Sequence, residues 1–262
     1  MKISVNIPSY KRPKVLTLDY LPFCKVWVDH KEYEDYIRAN PEGSQIVSCP
    51  EGIQGNVSRI RNYILDKEFE AGVECVVILD DDIRAIACFC EAENHYGYDE
   101  KILTADDFMA WAEKYAMLCY EWGLKEWGIN VNPDPQGYRQ YTPFSLTQFV
   151  GGPFQAFINN PLRYDENLPL KEDYDMTIQQ CNKYRGVLRL NAWHYYAKQS
   201  IQAGGCATYR NEERERQQFE ALQKKWGSDI VKRDKADKSH KATKDKKRED
   251  YNPIIKIPIK GV

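Results

Sequence analysis

Residues 75–83, Cys-Val-Val-Ile-Leu-Asp-Asp-Asp-Ile, limit what this chain can fold into more than any other stretch. An unbroken apolar, β-branched run, Val76 to Leu79, leads straight into the carboxylates Asp80, Asp81 and Asp82. Such a run reads as a strand buried on both faces, the kind found in parallel sheets. Ligands of open α/β sheets bind beyond the carboxyl ends of the strands. The aspartates are therefore expected at the mouth of a crevice. Adjacent carboxylates repel one another unless a cation or hydrogen-bond donors offset the charge. Oxygen-only ligands at a strand end suit Mg²⁺ or Mn²⁺, which bind through one or two carboxylates plus substrate phosphates. Alternation turns Asp80 and Asp82 to one side and Asp81 to the other. A solvated acidic turn is the plain alternative, so the flanking sequence has to decide.

That sequence alternates. Residues 3–7 read as a strand, 8–13 as a polar, basic turn, and 15–21 as a short helix. A strand, a basic turn and a helix N-terminus form a ready anion site. Lys11 and Arg12 are placed to approach a diphosphate and Tyr10 to stack on a base; a lone basic pair is also compatible with simple solvation. Strands are expected at 25–29, ending in Asp29, and at 45–49. Helices are expected at 31–38, stopped by Asn40-Pro41-Glu42-Gly43, and at 57–69, with Arg59, Arg61 and Asn62 near its start. The first 83 residues thus read β-α-β-α-β-α-β, which implies a parallel sheet with right-handed crossovers.

Composition bounds the rest. The chain has 262 residues, 42% hydrophobic and 29% charged, the profile of an ordinary globular protein. No leader is expected at the N-terminus, and no apolar run approaches the roughly 20 residues that span a bilayer. The eight cysteines form no CxxC pair, so buried free thiols in a reducing compartment are expected rather than disulfides or zinc. The expected location is the cytoplasm, a host's if the gene is phage-borne.

The order Ile3-Ser-Val-Asn-Ile-Pro-Ser-Tyr-Lys-Arg-Pro13, Asp29, Gly55-Asn-Val-Ser-Arg-Ile-Arg-Asn62 and Leu79-Asp-Asp-Asp82 resembles the nucleotide-binding half of GT-A glycosyltransferases, in the style of inverting family-2-like enzymes. The resemblance spans about residues 1–215. It implies a GT-A, Rossmann-like α/β fold, a mainly parallel sheet flanked by helices. It also implies that Pro8, Ser9, Tyr10, Arg12 and Asp29 hold the nucleoside of a UDP-sugar, with Arg61 and Asn62 lining the pocket. Asp80 and Asp82 become the outer members of a DxD motif, with Asp81 between them, contacting ribose and a divalent metal.

Further on, Thr104 and Asp107 read as a capping box before a helix whose Phe108, Trp111, Ala112, Tyr115, Leu118 and Trp122 form an apolar stripe. Residues 130–145 read as a long loop. Gly151 and Gly152 precede a strand, where paired glycines permit close backbone approach; by the resemblance they adjoin the donor sugar. Glu172, Asp173 and Asp175 open a helix, which by itself suits the helix dipole. By the resemblance Asp173 is the catalytic base, with Glu172 its rival, and His194 is a third metal ligand. Arg210, and Arg214 on a charged helix expected over 211–226, are placed to reach a diphosphate; a solvated helix face is the alternative.

From Lys224 to Arg248 eleven Lys or Arg stand against four Asp, a local charge of +7 in a chain of net −2. A basic segment of this kind favours nucleic acid through phosphate contacts. Lys232, Arg233, Lys235, Lys244, Lys246, Lys247 and Arg248 are its candidate contacts; a solvated linker before the strand-like residues 254–259 is the alternative. Two units follow: a GT-A domain over 1–226 (nucleotide-binding half 1–83, acceptor and catalytic half 84–226) and a basic tail over 227–262.

The Ile-Pro-Ser-Tyr-x-Arg-Pro opening and the aspartate triplet also resemble enzymes that glucosylate 5-hydroxymethylpyrimidines in DNA, the base J and phage groups. The function so implied is metal-dependent, inverting transfer of a sugar from UDP-glucose to DNA, with Tyr138, Tyr141 and Phe144 stacking on the extruded base. Three rivals stay open: a glycan or small-molecule acceptor, a nucleotidyltransferase, and a nucleic-acid-binding module on a degenerate transferase fold. A nucleotidyltransferase is expected to carry a Gly-rich phosphate loop, and residues 8–13 contain no glycine.

Overall fold

The computed structural model describes residues 1–95, 97–197, 204–233 and 251–259. Strands β1 (Ile3–Pro8), β2 (Lys25–Asp29), β3 (Gln45–Cys49) and β4 (Cys75–Leu79) alternate with helices α1 (Thr17–Tyr20), α2 (Tyr33–Ala39) and α3 (Val57–Glu70). The strands pair in parallel, in the order β3-β2-β1-β4. The apolar run explains the position of β4. Cys75, Val77 and Leu79 pack into one cluster with Leu18, Tyr36 and Phe108. Val76 and Ile78 pack into the opposite cluster with Ile60, Ile64 and Met176. A strand with such a sequence needs helices on both faces.

The chain continues as β5 (Ile83–Glu91), β6 (Tyr98–Ile102), α4 (Ala105–Glu121), β7 (Glu126–Asn130), β8 (Phe144–Ser145), β9 (Phe154–Ile158), α5 (Glu172–Tyr184), β10 (Leu188–Ala197) and α6 (Glu212–Trp226). These strands extend the same sheet in the order β4-β9-β7-β10-β5-β6, with β8 on β10. The expected single α/β domain around a large flanked sheet is present. The sheet is mixed, because β9 runs antiparallel to β4 and β7, and β10 antiparallel to β5. The β5–β6 hairpin turns within a few residues, and a parallel pair needs a far longer crossover.

Thr104 caps α4 as expected, its hydroxyl oxygen accepting from the Asp107 amide while its proton goes to the Asp107 carboxylate. Strand β7 was not legible, since Glu126 and Gly128 are poor strand formers. Gly128 is required there by space: a Cβ would lie 2.3 Å from the Val150 side chain and 2.8 Å from the Phe154 carbonyl.

The C-terminal region returns to the body of the fold. β11 (Val231–Arg233) pairs antiparallel with β12 (Pro253–Ile255). Tyr251 packs with Phe219, Leu222 and Ile178, and Ile257 and Ile259 pack against a cluster of Val150, Cys181 and Val187. The basic stretch therefore joins two paired strands. Asp175, fully buried at the start of α5, holds α6 in place: it accepts from Trp226 Nε1 at 2.7 Å, Lys225 Nζ at 3.0 Å and Gln179 Nε2 at 2.7 Å.

Removing one partner of a buried hydrogen-bonded charge cluster destabilises. Asp175→Ala is expected to lose about 2 kcal/mol or more in urea unfolding, since its N–H donors are left unpaired. An unchanged midpoint would show that α6 is held by apolar packing alone.

Candidate active site

The turn after β4 is fixed from beneath by Thr17. Its hydroxyl donates to the Asp80 carbonyl at 2.7 Å and accepts from the Ile83 amide at 2.9 Å. The Thr17 amide donates to the Asp81 carbonyl at 3.2 Å, and the Asp80 amide to the Pro153 carbonyl at 3.1 Å. This clamp sends the aspartates in separate directions. Asp81 turns toward β1, where it accepts from the Ser9 hydroxyl at 2.6 Å and pairs with Arg12. Asp80 accepts from Arg61 Nη2 at 3.1 Å. Asp82 has no side-chain partner among the described residues.

Arg61 is the hub. Asn56 caps α3 by accepting from the Ser58 and Arg59 amides at 2.9 and 3.2 Å, which puts Arg61 just inside the helix, 2% exposed. Nη1 donates to Glu172 Oε1 and Gln155 Oε1, each at 3.2 Å. Nη2 donates to Asp80 and, at 3.0 Å, to the Gly152 carbonyl. The guanidinium lies 5.7 Å from the Tyr164 ring centroid. Gly152 is needed for this approach, since a Cβ there would lie 2.9 Å from Arg61 Nη1 and 3.3 Å from Asp173 Oδ2. The glycine pair predicted to sit close to a ligand thus permits close contact between protein side chains.

Helix α5 brings in the second acidic group. Asp173 is half-buried, its carboxylate accepting from the Gly152 amide at 3.0 Å and the Tyr174 amide at 2.9 Å. Behind it, Gln155 accepts from Tyr164 Oη at 2.8 Å and donates to the fully buried Glu126 at 2.8 Å.

Charge follows from this geometry. Burial, then Asp173, pushes the Glu172 carboxyl up, against the pull of Arg61. Burial raises Asp173 as well, against the Gly152 and Tyr174 amides and the Arg61 charge. Burial, then Asp80 and Asp81, pushes Asp82 up to about 6. Burial works to deprotonate Arg61, but Tyr164, Glu172, Asp80 and Asp173 outweigh it and raise its pKa. Glu126 is lifted to about 8 by burial.

Arg61, the aspartate triplet and the Glu172–Asp173 pair border one cavity of about 490 Å³ at the carboxyl ends of β1 and β4; Glu126 is buried behind its wall. Of the residues expected from sequence, Pro8, Ser9, Tyr10, Arg12, Arg61, Asp80, Asp81, Asp82, Gly152, Glu172 and Asp173 all border it. Others do not. Asp29 caps the turn after β2, accepting from the Lys31 amide at 2.9 Å. Asn62 is spent on the Tyr164 backbone, at 2.9 and 2.7 Å. Gly151 is packed against Val131 and Phe149.

His194 is fully buried outside the cavity wall, 3.1 Å from Glu100 and stacked on Phe89 at 4.3 Å. Burial pushes its pKa down against the pull of Glu100. Its neighbours Tyr195, Tyr196 and Ala197 border the cavity in its place. Tyr138 is likewise packed, stacked on Phe89 at 5.2 Å, and so is not available for a base; Tyr141 is 78% exposed.

Of the basic candidates, Arg233 lies over the Tyr251 ring and Lys232 is on β11. Lys235, Lys244, Lys246, Lys247 and Arg248 lie outside the described residues. Arg210 borders the cavity, tied to Glu215 at 2.9 Å, which also receives the buried Lys171 at 2.5 Å. Gln54, Tyr195, Cys206 and Tyr209 also border the cavity and were missed. Only Tyr195, one residue from the singled-out His194, left a usable signal.

Asp82 and, beside its bond to Arg61, Asp80 offer carboxylate oxygens of the kind a divalent cation would take. No cluster of three or more His, Cys, Asp or Glu side chains able to hold a metal occurs among the described residues. A site of one or two carboxylates, completed by phosphate oxygens and water, is what Mg²⁺ or Mn²⁺ takes. The raised, unpartnered Asp82 carboxyl is where positive charge would relieve most repulsion.

No family model and no curated protein matches this chain. Solved structures resemble its layout. S. aureus TarS 1–349 is 16% identical with a TM-score of 0.47, over 85% of this chain and 64% of that one, so this chain spans less than two thirds of its length. A197 from STIV is 12% identical with a TM-score of 0.41, over 76% and 87%. A CMP:2-keto-3-deoxy-manno-octonic acid synthetase complexed with CTP is 12% identical with a TM-score of 0.40, over 86% and 100%. At such TM-scores these likenesses carry no argument about activity, which must come from the site.

Because Glu126 is lifted to about 8 from 4.5, the folded chain holds a proton that the unfolded chain has released. Stability conferred by this group is therefore present at low pH and falls as pH rises from about 4.5 to 8. Glu126→Gln is expected to flatten that fall when urea midpoints are compared at the two ends of the window. A variant that tracks wild type would mean that Glu126 does not titrate there.

Proposed function

We propose that the chain is a GT-A-type glycosyltransferase that moves a sugar from a nucleoside diphosphate sugar to an acceptor hydroxyl with inversion. The observation that supports this reading is the convergence of two acidic groups on one cavity, the strand-end triplet and the Glu172–Asp173 pair, stitched together by Arg61.

The division of labour follows from their partners. Glu172 is spent on Arg61, whereas Asp173 is half-buried and bound only by amides. Asp173 is therefore the base: it takes the acceptor hydroxyl's proton as that oxygen attacks the anomeric carbon from the face opposite the leaving group. Its raised pKa brings it toward the range where a general base works best. The Gly152 amide keeps one carboxylate oxygen in place. Asp82 and Asp80 would hold a Mg²⁺ or Mn²⁺ ion, which supplies charge neutralisation for the departing diphosphate. Tyr10 offers the base a ring to stack on, and Arg12 serves by fixing Asp81 rather than by reaching for phosphate.

The donor we propose is UDP-glucose, and the acceptor a 5-hydroxymethylpyrimidine in DNA, for which the basic run at 224–248 is the support. A nucleotidyltransferase would share the triplet but has less use for a carboxylate pair on the facing wall.

With Mn²⁺, UDP-glucose and duplex DNA containing 5-hydroxymethylcytosine or 5-hydroxymethyluracil, mass spectrometry should show DNA gaining a hexose. Asp173→Asn should slow transfer about 10²–10⁴-fold with UDP binding unchanged, and Asp82→Asn should weaken Mn²⁺-dependent UDP binding. Donor hydrolysis without DNA modification would move the acceptor to a glycan or small molecule. Wild-type transfer by Asp173→Asn would remove it as the base.

A further inference from the structure

Gln54 lies in the loop before α3, between the ends of β1 and β2, and is only 9% exposed. Its amide nitrogen donates to two backbone carbonyls, Trp27 O at 2.9 Å and Ser9 O at 3.2 Å. Two carbonyl acceptors can face only the NH₂ end of a carboxamide, so the orientation is fixed by chemistry rather than by choice. Both protons are used. The remaining oxygen, Oε1, meets no donor among the described residues, and it is not among the buried atoms shut off from solvent. Since Gln54 borders the cavity, that oxygen is a fixed acceptor presented to whatever fills it.

Its position within the cavity defines what it meets. The aspartate triplet follows β4, on the far side of β1 from β2. Adjacent strands lie about 4.8 Å apart, so Gln54 stands one to two strand spacings, about 5–10 Å, from the triplet, on the β2 side of β1. Tyr10 borders the cavity too, its hydroxyl 4.0 Å from where a Cβ on Gly55, next to Gln54, would stand. A ligand with its diphosphate at Asp82 therefore lays its base against Tyr10 and Gln54.

We propose that Gln54 reads the nucleobase. Its acceptor oxygen takes a ring N–H, the lactam edge shared by uracil and guanine. It opposes the lone pair that cytosine and adenine carry at the corresponding ring nitrogen. A site built around a buried hydrogen-bonding group rejects the partner that leaves it unpaired more strongly than an apolar pocket rejects a misfit. This rests on the nucleotide-sugar reading above, narrows the donor to two bases, and assigns a role to a residue flanked by turn glycines.

The test is calorimetric binding of UDP, GDP, CDP and ADP to the full chain with Mn²⁺, together with the ring-N-methylated form of whichever binds best. UDP or GDP should bind at least about tenfold tighter than CDP and ADP, and ring methylation should erase that advantage. In Gln54→Leu the preferred diphosphate should fall to the level of CDP. Equal binding of all four, preference for CDP or ADP, or indifference to methylation overturns the role of Gln54 while leaving the nucleotide site intact. Failure of every diphosphate to bind overturns both. The methylated ligand with wild-type protein decides the matter even if the variant does not fold.

Discussion

The site depends on one buried cation. Arg61 is 2% exposed and touches the strand-end turn through Asp80, the β9 approach through Gly152 and Gln155, and the start of α5 through Glu172. Burying a guanidinium is costly unless it is paired and hydrogen-bonded. Here the planar fork meets acceptors from separate elements, which a Lys point charge would not satisfy. The two acidic groups would otherwise repel across the cavity. Arg61 holds them together, and its charge is taken up by protein groups, so under the proposed function the positive charge for a diphosphate would come from a bound cation or from Arg210.

The far end of the chain supports the same arrangement. Asp175 joins α6 to α5 two residues beyond Asp173, and the β11–β12 hairpin packs on both helices. Lys171, immediately before Glu172, is fully buried and tied to Glu215, which also orients Arg210 at the cavity wall. Folding of the C-terminal region and placement of the Glu172–Asp173 pair are thus coupled through short ion pairs.

The sequence made the parallel half legible because its signals are local. An apolar run, a turn and a helix stripe each lie within a dozen residues, and the predicted strands at 25–29 and 45–49 match in full. The aspartate triplet and the Glu172–Asp173 pair were visible for the same reason. The antiparallel half was legible in places only, as at β9, the strand expected after Gly151 and Gly152. β7 carries a buried glutamate and a glycine that only the three-dimensional contacts with Val150 and Gln155 explain. His194 drew attention by residue type, yet the cavity is bordered by its neighbours Tyr195, Tyr196 and Ala197. Asn62 and Asp29 followed motif position, while their actual partners are backbone groups of neighbouring turns. Gln54 had no sequence signal at all, because its role comes from two carbonyls on different segments of the chain.

The most direct test of this account is a crystal structure with Mn²⁺ and UDP, with the metal located by anomalous scattering. The account predicts a metal within about 2.1 Å of an Asp82 carboxylate oxygen, bridging to the diphosphate. Arg61 should remain bound to Asp80 and Glu172. A metal elsewhere, or an Arg61 that leaves Glu172 to grip the diphosphate, would contradict it.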